Sequence, residues 1–217
     1  MAYYLNHRSN NMRAKRSYYH DLITQKSWQV LQDLRRNYDF ILIGGWAVFL
    51  YTHALKSKDI DLVCDFEELE KFKEKFEVVK NDRLKKYEAR SEEVEIDIYI
   101  PYYSNCGLPA EELEAFTNSL EAFKVVEKEV LAILKGKALI SRSGSAKGKK
   151  DLIDLVSLFK LDDFNFRKYK KLVMRFNLAD YIKFTHDAIL DVNAIDELSL
   201  NVHKMSKLKK RILPLLS

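Results

Sequence analysis

A glycine pair, Gly44-Gly45, stands where a short apolar run, Phe40 to Ile43, gives way to Trp46-Ala47-Val48-Phe49-Leu50-Tyr51. Residues without side chains at a strand-to-helix junction let backbone amides and a helix N-terminus meet an anion such as phosphate. The interval from Trp46 to Lys58 leaves room for a helix and a return loop. After it, Asp59-Ile60-Asp61-Leu62-Val63 alternates acidic and apolar residues. That alternation predicts a strand over Asp59 to Cys64, and residues two apart on a strand share a face. Asp59 and Asp61 are therefore expected to project together, with Ile60 and Leu62 in the core behind them. The chain is constrained to a strand, turn, helix, strand unit that brings bare backbone and two carboxylates to one sheet edge.

Two carboxylates suit divalent metal, and a pair of Mg²⁺ ions about 3.5–4 Å apart can serve phosphoryl or nucleotidyl transfer, for which a third carboxylate is useful. Val94 to Ile100 alternates well and stops at Pro101, so a further strand is expected there. It offers Asp97, with Glu95 on the same face and Ile96 and Ile98 turned inward. Asp97 is preferred as the more central and shorter acid.

The rest of the chain supplies the frame. A leading helix is expected from about Arg13 to Arg36, and weaker strands at Phe76 to Val79 and Tyr87 to Arg90. Asp65 and Glu68 have capping-box spacing for a helix over Glu67 to Lys75. Ser104, Asn105 and Gly107 mark a connection after which the sequence reads as helical. A boundary is placed there, giving a catalytic unit with its leading helix over 1–105 and a mainly helical unit over 106–217. Helices are expected around Val130 to Ala138, around Leu152 to Phe159, and over Phe166 to Phe176, Ala179 to Leu190 and Ile195 to Ile212. The fold class is α+β: a small mixed sheet with flanking helices, followed by a C-terminal helical domain.

Composition limits what this frame can do. With 47% hydrophobic residues in 217, there is enough apolar material for a core. The net charge of +5 is compatible with a phosphate-rich partner but is not that of a nucleic-acid coat. Cys64 and Cys106 lack the spacing of a disulfide framework or a zinc site, which fits a reducing compartment. No apolar run approaches the roughly 18 residues of a membrane span. A soluble cytoplasmic protein is expected.

Gly44, Gly45, Asp59, Asp61 and Asp97 together resemble the polymerase-beta-like nucleotidyltransferase superfamily, whose signature joins a glycine pair at a strand-helix turn to an Asp-x-Asp strand and a later strand Asp. Within it the chain looks most like the minimal, abortive-infection-type enzymes, including toxin components. Lys56-Ser57-Lys58 precedes Asp59 where basic and hydroxyl residues are usual in that group. Leu134-Lys135, followed by Lys149-Lys150-Asp151-Leu152-Ile153-Asp154-Leu155, is similar to its helical Lys...Lys-Asp-x-x-Asp-Leu pattern. The resemblance spans roughly residues 40 to 160.

That resemblance implies a Mg²⁺-dependent transfer of a nucleoside monophosphate from a nucleoside triphosphate such as ATP to a hydroxyl acceptor, with pyrophosphate released. Asp59, Asp61 and Asp97 would hold a two-ion site, and Asp97 would also help to deprotonate the acceptor. Gly44, Gly45, Ser57 and Lys150 would position the triphosphate, with Asp151 orienting the helix. The acceptor could be RNA, protein or a small molecule, and an antitoxin protein is a candidate partner. Two other readings stay open: an idle relative that binds RNA or protein through basic helices, and an Asp-x-Asp glycosyltransferase, against which the glycine turn argues. Lys135 reads as a snorkelling surface lysine, Trp46 and Tyr51 as core, and the basic residues at Arg167 to Lys171 and Lys204 to Arg211 as a solvated helix surface. His53, His186 and His203 receive no role.

Overall fold

The computed structural model describes residues 21–216. Helix α1 covers 21–37, and the earlier part of the expected leading helix lies outside the described residues. It buries Leu31 and Leu34, while Ser27 Oγ accepts the indole N–H of Trp46 at 2.8 Å. A buried indole needs such a partner. Trp46 is therefore core, as its helical spacing implies.

Seven strands form one mixed sheet: β1 Ile41–Ile43, β2 Ile60–Val63, β3 Val78–Asn81, β4 Lys86–Ser91, β5 Val94–Tyr99, β6 Thr117–Leu120 and β7 Phe123–Val126. Their spatial order is β3-β4-β5-β2-β1-β7-β6. β1 runs antiparallel to β2 and parallel to β7, and β2 runs parallel to β5. Helix α2, Gly44–Thr52, leaves β1 with no intervening loop, and α3, Phe66–Lys75, follows β2. The Asp65 carboxylate accepts the Glu68 N–H at 2.8 Å, the helix cap that the spacing predicts.

Two strands come from beyond residue 105, so the composition shift does not end the sheet. β6 and β7 form a hairpin that turns through Glu121 and Ala122, both left-handed at φ 48° and 63°. Asn-Gly is the common signal for such a turn. With Glu-Ala in its place, nothing in the local sequence announces the hairpin.

The remaining chain is helical: α4 Lys128–Ser141, α5 Ala146–Phe159, α6 Phe166–Arg175, α7 Ala179–Asp191 and α8 Val202–Leu216. α4 buries every residue from Glu129 to Gly136, so it is a central helix rather than an amphipathic cover. α5 begins inside the Ser/Gly segment because Ser145 Oγ accepts the Gly148 N–H at 3.0 Å. The single helix expected over Ile195 to Ile212 is broken. A 3₁₀ turn at Asp196–Leu198 ends at left-handed Ser199, and a bridge between Ile195 and Leu200 closes the reversal before α8 starts. No helix among the described residues is long and apolar enough to cross a membrane.

Candidate functional site

The glycine pair makes room for two different things. A Cβ on Gly44 would fall 2.0 Å from Asp61 Oδ2, and its φ of +67° disfavours any other residue. A Cβ on Gly45 would fall 2.5 Å from Ser57 Oγ and 2.9 Å from Lys150 Nζ. Gly44 thus clears space for a carboxylate, and Gly45 for a hydroxyl and an ammonium. The N-cap of α2 is Ile43, which offers no side-chain acceptor, and no acid stands in the first turn. The opening amides of α2 therefore have no side-chain cap. Ser57 is buried beside them.

Sheet register places the acids. Asp61 lies opposite Ile43 on one side and Asp97 on the other, and Asp97 lies opposite Glu88 of β4. Directly paired residues face the same way. Asp61, Asp97 and Glu88 therefore form one row across three strands. Asp59 falls outside β2, which starts at Ile60, so it is carried by the preceding bend rather than by the strand face. Its side chain is 41% exposed, and Lys147 Nζ stands 4.0 Å away. Glu95 is also exposed and lies near Arg90.

Burial is the main cause pushing the Asp61 carboxyl above its usual range; Lys135, Lys150 and Lys86 oppose it and Asp59 adds to it. Asp97 is pushed up to about 6, by burial first and by Asp61 next. Lys86 Nζ donates to Asp97 Oδ2 at 2.6 Å and stands 3.0 Å from Glu88. The sequence reading passed over Lys86 and Glu88. The alternating strand Lys86-Tyr87-Glu88 is their only local signal.

A second half of the site comes from the helices. Lys135 of α4 is buried, not snorkelling: its Nζ lies 2.6 Å from Asp154 Oδ2 and 3.5 Å from Asp151 Oδ1. Burial works against its charge, but Asp154 and then Asp151 outweigh it, so the ammonium is held. Lys150 Nζ reaches the same Asp154 oxygen at 3.1 Å while lying over Gly45. Asp151 is buried and pairs with Arg142 at 2.8 Å. Asp154 Oδ1 has no hydrogen-bond partner among the described residues. One buried carboxylate therefore anchors two lysines that both act electrostatically on Asp61.

The acids fit a hard divalent cation in donor type, since like charges at Asp59, Asp61 and Asp97 press on one another in a partly desolvated place. They are not gathered into a cage: among the described residues no three acidic, His or Cys side chains surround a point that could hold an ion. Asp97 is turned to Lys86 instead. Holding a metal requires Asp97 to exchange that ammonium for the ion.

No protein-family model and no curated protein sequence matches the chain. Solved structures do. A protein of H. pylori provisionally named a nucleotidyltransferase aligns with 90% of this chain and 93% of its own at 18% identity and a TM-score of 0.50. JHP933 from Helicobacter pylori aligns with 93% of this chain and 91% of its own at 17% identity and a TM-score of 0.50. The chain is similar to these proteins in fold: a mixed sheet with flanking helices and a helical C-terminal region, consistent with a nucleotidyltransferase fold.

Proposed function

We propose that this chain is a Mg²⁺-dependent nucleotidyltransferase of the abortive-infection, toxin-like kind, moving a nucleoside monophosphate from a nucleoside triphosphate to a hydroxyl acceptor. The observation that carries the reading is Asp61, paired in register with Asp97, lying against Gly44 at the uncapped start of α2, with Ser57 and Lys150 against Gly45. Such a place brings fixed donors for phosphate and hard oxygen ligands within reach of the same substrate.

The α2 amides, the Ser57 hydroxyl and the Lys150 ammonium bind phosphate oxygens. Asp154 holds Lys150, and Lys135 and Lys150 balance the acids. Asp59, Asp61 and Asp97 would hold Mg²⁺, which supplies charge stabilisation to the transferring phosphoryl group. Asp97 also faces an open cavity of about 740 Å³ along β3, β4 and β5, which includes Lys86 and Glu88 and gives the acceptor hydroxyl its approach. There Asp97 takes the hydroxyl proton as the acceptor oxygen attacks the α-phosphorus, and the bond to the β-phosphate breaks to release pyrophosphate. RNA is one candidate acceptor and an antitoxin protein one candidate partner.

The contact of Lys86 with Asp97 favours a second reading, a relative that binds nucleotide or RNA without turnover, its ammonium standing where a metal would serve. Incubation with each α-labelled triphosphate, Mg²⁺ and cellular RNA or protein separates the two. Label should move to one acceptor fraction and stay behind with Asp61→Asn. Transfer that survives in that variant would contradict the proposal, and triphosphate binding without transfer for any base would support the second reading.

A further inference from the structure

The helical region carries a surface that the nucleotide site does not use. Two adjacent cavities, of about 370 and 610 Å³, open where α6, α7 and the end of α8 meet. Met174 lines both and forms the ridge between them. The first is floored by the buried Ile182 and Leu216 and edged by Ala179, and the second is lined by Phe166, Pro214 and Leu215. Met174 is 58% exposed and Leu215 is 44% exposed, so the ridge and one wall present apolar area to solvent.

The rim has one sign of charge. Arg167, Lys171 and Lys183 line these cavities, and neither lining includes an Asp or Glu. None of these three cations makes an ion pair among the described residues, whereas nearby Lys168 pairs with Glu127, Arg175 with Glu112 and Arg211 with Asp162. The floor is fixed. Arg211 also donates to the carbonyls of Phe159 and Lys160, which ties the last turns of α8 to the end of α5.

We infer that this double groove docks an amphipathic protein segment whose apolar side chains enter the two cavities on either side of Met174 and whose flanking Asp and Glu residues meet Arg167, Lys171 and Lys183. Charge complementarity selects that occupant. Residues 1–20 of the sequence carry Arg8, Arg13, Lys15 and Arg16 and no acid, so like charge argues against them as the occupant. RNA fits less well, because the floor is aliphatic around Met174, Ile182 and Leu216 and offers no exposed aromatic platform for bases. A bilayer needs a protruding apolar face, and this one is concave. Separate holes for successive side chains suit a helix. This inference stands independently of nucleotidyl transfer.

The test uses the full chain and two labelled synthetic amphipathic helices of about 18 residues, identical in apolar positions and flanked by Glu in one and Lys in the other. In anisotropy titrations the Glu peptide should bind at least about tenfold tighter than the Lys peptide. The double variant Arg167→Glu with Lys171→Glu should reverse that order, and Met174→Asp should abolish binding of the Glu peptide. Melting curves check that each variant is folded, and Lys183→Glu, which should weaken the Glu peptide alone, replaces any that is not. Equal binding of both peptides, binding of neither, or indifference to these substitutions would overturn the inference. So would tighter binding of a short RNA or of phosphatidylserine vesicles that is lost in the same variants.

Discussion

The two halves of the candidate site hold their charges in opposite ways. On the sheet, Asp61, Asp97 and Glu88 stand in a row because strand register puts them there; burial makes the ionisation of Asp61 and Asp97 costly, while Lys86 holds the Glu88 carboxyl below its usual range. On the helices, Lys135 and Lys150 share one oxygen of Asp154, which is buried beneath them. The sheet half sets repelling carboxylates side by side, with the Lys86 ammonium at one end of the row, while the helical half is neutralised from within. In the proposed reaction, this separates the group that would change partners, Asp97, from the lysines that would stay in place.

The comparison breaks first at its acidic side. Asp61→Asn should lower transfer by about a thousandfold or more, while denaturant midpoints change little, because the buried charge it removes is one that folding disfavours. Rates within a few fold of wild type would remove Asp61 from the chemistry. On the helical side the balance reverses. Lys135→Ala removes the buried ammonium between Asp154 and Asp151 and leaves them only the more exposed Lys150 and Arg142, so urea unfolding should show a loss of about 3 kcal/mol, the lower end for a broken buried pair. Pairing Lys135→Met with Asp154→Leu should recover much of that loss without restoring transfer; if the pair is as unstable as Lys135→Ala, the ion pair is not what holds α4 on α5.

Smaller effects sharpen the contrast between the glycines. Gly44→Ala forces a left-handed residue against Asp61 and should cost about 1–3 kcal/mol in a thermal melt as well as activity. Gly45→Ala meets Ser57 Oγ and Cβ at 2.5 and 2.8 Å and Lys150 Nζ at 2.9 Å, so it displaces the buried serine and should raise the KM for the triphosphate with a smaller loss of stability than Gly44→Ala, whose φ is left-handed. Lys150→Met should raise that KM by about tenfold with kcat less affected, as expected for loss of one charged phosphate contact. The smallest change is Asp65→Ala, which removes the α3 cap away from the site and should cost about 1 kcal/mol in stability with unchanged transfer.

What was legible in the sequence follows locality. The Gly44-Gly45 turn, the buried Ile60 and Leu62 and the Asp65 cap all depend on contacts within a few residues, and each is found as the spacing predicts. Asp59 was misplaced by one strand position, because acid-apolar alternation continues into the bend before β2 and pattern alone cannot say where pairing stops. The Glu121-Ala122 turn lacked glycine and asparagine and so hid β6 and β7. Lys135 was misread because a lysine on an apolar helix resembles a snorkelling residue unless its partner is known, and Asp154 lies on a different helix.

The sequence by itself determined the elements that present the acids, the glycine turn and most of the helices, since backbone preference and hydrophobic period act over a turn or two of chain. Tertiary structure alone decided which carboxylates stand together, that Lys86 holds Asp97, and that Asp154 binds a lysine of α4 as well as one of its own helix. Those outcomes depend on register between strands and on packing between helices, where residues distant in sequence determine one another's solvation and charge.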